Sequence, residues 1–118
     1  MIMSFKYLSL LLLTLCLNFG IITTSYSADP TTDIWIDVRS EREFNTAHLK
    51  NAVNIPHTQI ADRIQSLALT KDTKIHLYCA VGGRAEIAKN KLVALGYSNV
   101  INEGGLKNLH KSGLPLNQ

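Results

Sequence analysis

The sequence predicts an α/β fold in which a small parallel β-sheet carries helices on both faces. Short runs rich in β-branched and aromatic residues alternate along the chain with segments whose apolar residues recur at helical spacing. Glycine, proline and short polar residues separate these segments. Strands that alternate with helices in this way are typical of parallel sheets covered on both faces. With 118 residues, the chain has the length of one domain.

The first strand and the first helix follow from residues 34–49. Residues 34–38 form a short apolar run and are predicted to be a strand. Ser40, followed three residues later by Glu43, is a capping box and predicts the start of a short helix. Phe44 and Leu49 are expected to anchor that helix to the core.

A second strand and a second helix are predicted next. Residues 52–55 form the strand, which Pro56 ends. Thr58 is expected to cap the helix that follows. That helix carries an apolar stripe at i, i+4 and i+7, namely Ile60, Ile64 and Leu67.

The remaining chain is predicted to add two strands and two helices. Gly96 follows an apolar helical pattern and is expected to end that helix. Gly104 and Gly105 are expected to form a turn before the last helix. The predicted elements are, in order, strand 74–78, helix 85–95, strand 99–101 and helix 106–111.

Residues 1–27 have the pattern of a secretory signal peptide. Lys6 precedes an almost entirely apolar run over residues 8–22, and small polar residues follow that run. The run is shorter than the roughly 20 residues that a membrane span needs. A removed leader is therefore favoured over a retained anchor, with cleavage expected after Ser27. The mature domain, residues 28–118, would then reside in the periplasm.

The charge of the mature chain is too mild and scattered to indicate a nucleic-acid partner. Loss of Lys6 with the leader leaves 11 lysines and arginines against nine acidic residues. Once the leader is removed, no membrane partner is expected either, and a monomer is the default. The histidines His57, His76 and His110 lack metal-ligand spacing. We therefore expect neither a metal nor a cofactor.

The cysteine content draws attention to a single thiol. The chain has two cysteines, and Cys16 lies inside the predicted leader, so that Cys79 alone would remain. Exported proteins normally use cysteines in disulfide pairs. A lone cysteine is an inert buried residue, an intermolecular partner or a reactive thiol. The residues around Cys79 distinguish among these three possibilities.

Cys79 is expected at the edge of the sheet where binding sites form. It directly follows the third predicted strand, and Asp37 and Arg39 lie at the matching end of the first. In open parallel sheets, ligands bind at the carboxyl ends of the strands. Residues about 40 positions apart in the sequence should therefore meet at one edge.

The segment after Cys79 has the composition of an anion-binding loop. Gly82 and Gly83 allow the backbone to curl with its N–H groups inward, and unpaired N–H groups at a helix start favour negative charge. Arg84 adds a planar cation suited to oxyanions. Such a loop would stabilise the Cys79 thiolate and bind an anionic substrate beside it. The plain alternative, a buried cysteine before a tight turn, accounts for the glycines but not for the arginine. The loop consists of Ala80, Val81, Gly82, Gly83 and Arg84.

These residues resemble the active-site loop of the rhodanese sulfurtransferases, which reads Cys-x-x-Gly-x-Arg after a Leu-Tyr strand. A leader followed by one minimal domain is most similar to the periplasmic phage-shock-protein-E type of that family. The likeness extends from about Trp35 to Leu109. Further segments resemble the family's motifs in the same order: Asp37-Val38-Arg39-Ser40 with Glu43-Phe44, Ala47-His48-Leu49, Ala52-Val53-Asn54-Ile55-Pro56, and Leu95-Gly96-Tyr97 with Gly104-Gly105-Leu106.

The resemblance implies a thiosulfate sulfurtransferase with a rhodanese-like fold. Cys79 would accept the outer sulfur of thiosulfate, release sulfite and hold a persulfide, which cyanide or another thiophile would then remove. The backbone donors of residues 80–84 would stabilise the persulfide, and Arg84 would bind the sulfonate end of thiosulfate. Asp37 and Arg39 would orient the loop or steer anions, or, as we favour, serve structural roles. His48 is expected to be a structural hydrogen-bonding residue.

Two other functions compete with this one. Cysteine-dependent phosphatases and arsenate reductases have five residues between the cysteine and the arginine of the loop, whereas this chain has four. The tighter ring suits a single sulfur atom better than a tetrahedral oxyanion. A non-catalytic rhodanese-like binding domain, or a persulfide carrier for a partner protein, is the second alternative. The retained Cys79 argues against a domain without catalytic function.

Overall fold

The structure, a computed structural model, describes residues 32–118, so the predicted leader and its cleavage site lie outside the described residues. Four parallel strands form one sheet in the order β3-β1-β4-β5, and two antiparallel strands, β2 and β6, form a second, smaller sheet. The strands are β1 (Ile34–Asp37), β2 (His48–Leu49), β3 (Val53–Asn54), β4 (Ile75–Cys79), β5 (Val100–Gly105) and β6 (Leu116–Asn117).

Four α-helices connect these strands, and a 3-10 turn over Ile64–Leu67 extends the second of them. None of the helices within residues 32–118 combines the length and the apolar character needed to cross a bilayer. The helices are α1 (Glu41–Thr46), α2 (Ile60–Arg63), α3 (Gly83–Ala94) and α4 (Leu106–Lys111).

Apolar clusters cover both faces of the parallel sheet. On one face, Leu77 of β4 packs in a buried cluster with residues of α2 and α3 that include Ile60 and Leu92. On the other face, Tyr78 packs with Leu109 of α4 in a second buried cluster. Leu77 and Tyr78 enter different clusters because successive residues of a strand point to opposite faces. The predicted parallel α/β fold with helices on both faces is confirmed.

The topology brings the carboxyl ends of β1, β4 and β5 to one edge of the sheet. β1 and β4 run in parallel with Asp37 opposite Tyr78. Between β4 and β5 the register shifts after Leu77, and Cys79 then lies opposite Gly105. The connection from Cys79 to α3 therefore begins beside the ends of both neighbouring strands.

The first predicted helix is present but shorter than expected. Its capping box forms, since Ser40 Oγ accepts the N–H of Glu43 at 3.3 Å and the Glu43 carboxylate accepts the N–H of Ser40 at 3.0 Å. Ala47 is already extended, which ends α1 before Leu49. The expectation that Leu49 anchors this helix is wrong. Leu49 instead pairs with Leu116 in the small second sheet.

The second predicted helix also starts later than expected. Thr58 is not its cap, because the helix begins at Ile60 with Gln59 at the cap position and no side-chain hydrogen bond there. The backbone N–H of Gln59 donates to the carbonyl of Pro56 at 2.8 Å, and this turn leads the chain into α2. Ile60 and Ile64 are fully buried, so the predicted apolar stripe does face the core.

The strand β5 extends further than the predicted strand over residues 99–101. The turn expected at Gly104 and Gly105 is wrong, because both residues belong to β5. Asn102 Oδ1 accepts the N–H of Gly104 at 3.0 Å, and Gly104 has the left-handed φ of 85° that glycine adopts without strain. This local bend carries the strand on until Gly105 pairs with Cys79.

Candidate active site

Cys79 is the last residue of β4 and lies at the base of the loop that enters α3. All five residues of β4 are buried, and the Cys79 side chain has no exposed surface. Among residues 32–118 it is the free cysteine. The thiol thus has a fixed position at the carboxyl end of the central strand pair, in contact with the core on one side and with the loop on the other.

The Cys79 sulfur lies under the backbone of the loop. The Gly82 N–H donates to Sγ at 2.9 Å. Burial raises the pKa of the thiol, but the backbone amides of the loop and of the start of α3, those of Ala85, Val81, Gly82 and Arg84, outweigh burial and hold the pKa of Cys79 below its usual value. The loop therefore stabilises the thiolate, which is the nucleophilic form of cysteine.

The side chains of the loop contribute less to this site than its backbone. Ala80 and Gly83 are exposed, and the Val81 side chain is 90% exposed, so none of the three encloses the sulfur with side-chain atoms. Gly82 has a φ of 102°, a left-handed conformation that turns its N–H group inward and that other residues adopt only with strain. The anion-binding character of the loop comes from its amides.

Asn102 of β5 ties the loop to the neighbouring strand. Its Nδ2 donates to the carbonyl of Gly82 at 3.0 Å and to the Glu86 carboxylate at 2.9 Å, while its Oδ1 accepts the N–H of Gly104. Sequence reasoning missed this residue. The available signal was a polar side chain near the end of the strand beside β4, at the same edge of the sheet.

The Arg84 guanidinium is engaged by Glu43 of α1. Nη1 and Nη2 donate to the two carboxylate oxygens at 2.7 and 3.0 Å, in a pair whose side chains are 31% and 38% exposed. The hydrogen bonds from Arg84 lower the pKa of the Glu43 carboxyl to about 2 and raise the pKa of Arg84. The sequence pattern predicts Glu43 only as part of a capping box, and its contact with Arg84 is not apparent from that pattern.

Asp37 and Arg39 form a buried ion pair at the end of β1. Arg39 Nη2 donates to Asp37 Oδ2 at 2.6 Å, and the Arg39 backbone N–H donates to Oδ1 at 2.9 Å. Nη2 also donates to the carbonyl of Ala47 at 2.7 Å. Burial opposes the charge of the guanidinium, but Asp37 outweighs it and holds the pKa of Arg39 above its usual value. These contacts join β1 to the segment after α1.

His48 lies beside α1 rather than beside the Cys79 loop. Its Nδ1 is 2.8 Å from the carbonyl oxygen of Phe44 and so donates a hydrogen bond to it, and the two rings stack at 3.6 Å between centroids. The ring therefore holds the chain where α1 turns into β2. Within residues 32–118, no three His, Cys, Asp or Glu side chains are grouped as metal ligands would be.

A family model described as the rhodanese-like domain matches residues 25–112. The chain belongs to the rhodanese-like domain family. The resemblance predicted from the motifs around Cys79 is confirmed, and sulfur transfer is the broad activity that this membership supports.

Several curated proteins resemble this rhodanese-like chain. It is 36% identical over 75 residues to the thiosulfate sulfurtransferase PspE of Escherichia coli K12, in an alignment that covers 64% of the chain and 72% of PspE. It is 38% identical over 73 residues to the adenylyltransferase and sulfurtransferase UBA4 of Candida albicans, with 57% and 17% covered. A tRNA uridine(34) hydroxylase of Erwinia tasmaniensis is 33% identical over 92 residues, with 70% and 26% covered. The chain thus spans most of PspE but a minor part of the other two.

Solved rhodanese structures share the fold. A structure described as a rhodanese with anions from Escherichia coli superposes with a TM-score of 0.68 at 32% identity, covering 74% of this rhodanese-like chain and 99% of that one. A thiosulfate sulfurtransferase from Pseudomonas aeruginosa gives a TM-score of 0.66 at 34% identity, covering 70% of this chain and 16% of that one.

Proposed function

We propose that the protein is a thiosulfate sulfurtransferase in which Cys79 carries the sulfur atom. The observation that carries this proposal is a buried thiol at the base of the loop that accepts the Gly82 N–H at 2.9 Å and whose pKa the loop amides lower. A persulfide anion on Cys79 would present the same negative charge to the same donors. The loop thus supports both the attacking thiolate and the product of the first step.

The first half-reaction loads the enzyme. The Cys79 thiolate attacks the outer sulfur of thiosulfate, a bond forms between the two sulfur atoms, and the sulfur–sulfur bond of thiosulfate breaks. The electron pair leaves with sulfite, and Cys79 holds a persulfide anion. The total charge is unchanged, and the step needs no external oxidant or reductant.

The second half-reaction returns the thiolate. Cyanide, or another thiophile, attacks the terminal sulfur of the persulfide, and the sulfur–sulfur bond to Cys79 breaks. Thiocyanate leaves when cyanide is the acceptor, and the electron pair returns to Cys79. The N–H of Gly82 already donates to the sulfur in the starting state and can stabilise the returning negative charge without moving.

The narrow loop also favours a sulfur atom over a larger group. Four residues separate Cys79 from Arg84, and the thiol lies beneath them with no exposed surface. A single sulfur atom fits this depth more readily than a tetrahedral phosphate or arsenate. Turnover of an aryl phosphate without sulfur uptake would reverse this ranking.

A persulfide carrier for a partner protein is the second candidate. Val81 lies at the tip of the loop, three residues before Arg84, and its apolar side chain is 90% exposed. An exposed apolar residue beside a persulfide suits contact with a protein acceptor. In that case, thiosulfate would load Cys79 and a protein thiol would unload it.

The cellular location is a separate proposal. Residues 1–27 would be removed after export, with cleavage after Ser27, and residues 28–118 would act in the periplasm. Amino-terminal sequencing of the protein recovered from the periplasmic fraction tests this. A mature chain that still begins at Met1 would contradict it.

The mass of the intact protein tests the chemistry. After incubation with thiosulfate, the full chain should gain one sulfur atom, peptide mapping should place it on Cys79, and cyanide should remove it. Cys79→Ser should gain none, whereas the matched control Cys16→Ser should gain it normally. A Cys79→Ser protein that still forms thiocyanate would refute the proposal. Sulfur that only a protein thiol removes would favour the carrier.

A further inference from the structure

The Glu43 carboxylate pairs with Arg84, the cationic residue that ends the Cys79 loop. Both terminal nitrogens of Arg84 are hydrogen-bonded to its carboxylate, in the parallel arrangement that guanidinium groups also use to bind oxyanions. The same carboxylate accepts the N–H of Ser40 at 3.0 Å and its hydroxyl at 2.8 Å. The hydrogen bonds from Ser40 therefore fix the Glu43 carboxylate. In this position it fills both terminal nitrogens of Arg84, which a substrate oxyanion would otherwise bind.

This arrangement changes what an anionic donor meets at the loop. The pKa of Glu43 is about 2, so its carboxylate stays charged over the whole physiological range. A donor that binds both terminal nitrogens of Arg84 has to displace that carboxylate, and one that does not displace it approaches a neutralised pair. In both routes the Glu43 carboxylate remains near the donor and repels it, and this repulsion is larger for a dianion than for a monoanion because electrostatic energy scales with charge.

We propose that Glu43 is a specificity-determining residue that acts through Arg84, as an internal carboxylate that biases the site toward sulfur donors of lower negative charge. The inference rests on the proposed sulfurtransferase function and concerns the donor class. Glu43 does not touch the sulfur, so its role is that of a positioning residue. The pair is about one-third exposed, and water can replace its hydrogen bonds when a donor enters.

Two sulfur donors that differ in charge distinguish the effect of Glu43 on donor binding from any effect on the sulfur-transfer step. Thiosulfate is a dianion, and the methanethiosulfonate anion carries the same outer sulfur with one charge fewer. In both reactions the Cys79 thiolate attacks the outer sulfur and the sulfur–sulfur bond of the donor breaks. Sulfite leaves in the first case and methanesulfinate in the second. The bonds made and broken correspond, so only charge and shape at the far end differ.

The test compares the unsubstituted full chain with Glu43→Gln and with the matched control Glu41→Gln. Glutamine keeps the size of the side chain and an oxygen that accepts from Ser40 and Arg84, but it carries no charge. In Glu43→Gln, KM for thiosulfate should fall about two- to fivefold more than KM for methanethiosulfonate, with kcat little changed. Glu41 lies on the same helix and makes no ion pair within residues 32–118. Its variant should leave the ratio of the two KM values unchanged.

A second measurement tests the binding of a dianion that cannot donate sulfur. Sulfate is an unreactive dianion, and it should inhibit methanethiosulfonate turnover at lower concentrations in Glu43→Gln than in Glu41→Gln. Equal inhibition of the two variants by sulfate would overturn the proposal, and so would equal changes in KM for the two donors in Glu43→Gln. Neither result would affect the proposed function, which sulfur uptake by Cys79 would still support. A fall in kcat with both donors would indicate a structural role and would also overturn it. Sulfur uptake from neither donor by the unsubstituted chain would refute function and inference together.

Discussion

Gly105 lies so close to the carbonyl of Ala80 that the end of β5 has no room for a side chain. A Cβ atom on Gly105 would stand 2.9 Å from the Ala80 carbonyl carbon and 3.3 Å from the Cα of Val81, and both are backbone atoms. Gly105→Ala should therefore displace the loop, lowering the free energy of unfolding by about 1–3 kcal/mol. Urea unfolding and sulfur uptake from thiosulfate measure the two consequences.

Gly83→Ala is the matched control for that substitution. A Cβ at Gly83 meets no atom within 4 Å, and this residue begins α3 with an ordinary φ. Its free energy of unfolding should be unchanged or higher by about 0.4–1 kcal/mol, because alanine restricts the unfolded chain. If both variants unfolded at the same urea concentration, the close approach of Gly105 to Ala80 would not be a constraint on the fold.

Asn102 should set the reactivity of Cys79 through the shape of the loop. The unsubstituted protein should react with iodoacetamide along a pH profile whose midpoint lies below that of free cysteine, about 8.5, because the loop amides lower the pKa of Cys79. Asn102→Ala releases the Gly82 carbonyl and the Gly104 N–H, so the midpoint should move upward. Loss of these hydrogen bonds should also lower the free energy of unfolding by about 1–3 kcal/mol.

Asn108→Ala provides the comparison for Asn102→Ala. Asn108 is an exposed residue of α4, and its substitution should change the free energy of unfolding by less than about 0.5 kcal/mol. Its alkylation profile should coincide with that of the unsubstituted protein. A Cys79 midpoint that stays in place in Asn102→Ala would mean that the loop keeps its shape without this side chain.

The features predicted correctly around Cys79 are those with local causes. The strand, the glycine-rich loop and the presence of a helix after it all follow from residues within about ten positions of the thiol, although Cys79 is the last residue of the strand and the helix begins at Gly83, two residues before the predicted start. The contacts that were missed join distant segments. Glu43 meets Arg84 41 positions away, and Asn102 meets Gly82 20 positions away. A capping box already accounts for Glu43 locally, so its sequence context gave no reason to seek a second partner.

The paired glycines of β5 illustrate the same limit. Gly104 and Gly105 suggested a turn because two adjacent glycines usually mark one. Gly105 is instead required because the backbone of Ala80 approaches it closely. Ala80 lies 25 positions earlier, in the loop between β4 and α3. A glycine in a sequence can mark a position where a larger residue would not be tolerated. Only the packed sheet shows whether the reason is an unusual backbone conformation, as at Gly104, or lack of space for a side chain, as at Gly105.

The buried pair of Asp37 and Arg39 should contribute to stability more than to catalysis. Asp37 is fully buried and Arg39 is 7% exposed, so Asp37→Asn leaves a buried guanidinium without a counter-charge. The free energy of unfolding should fall by about 3–5 kcal/mol. Asp62→Asn, at an exposed position of α2, should change it by less than about 0.5 kcal/mol. Equal urea midpoints for the two variants would contradict a structural role for Asp37.

The ion pair of Glu43 and Arg84 should stabilise the folded protein at neutral pH but lose this effect at acid pH. The pKa of Glu43 falls from 4.5 to about 2 on folding, so its contribution is fully present above pH 4.5 and is lost as the pH falls toward 2. Because the pair is partly exposed, that contribution should not exceed about 1 kcal/mol. The difference in unfolding free energy between the unsubstituted protein and Glu43→Gln should therefore shrink between pH 4.5 and 2. Glu41→Gln should show no such window, and a constant difference for Glu43→Gln would mean that its carboxylate is not stabilised by Arg84 in solution.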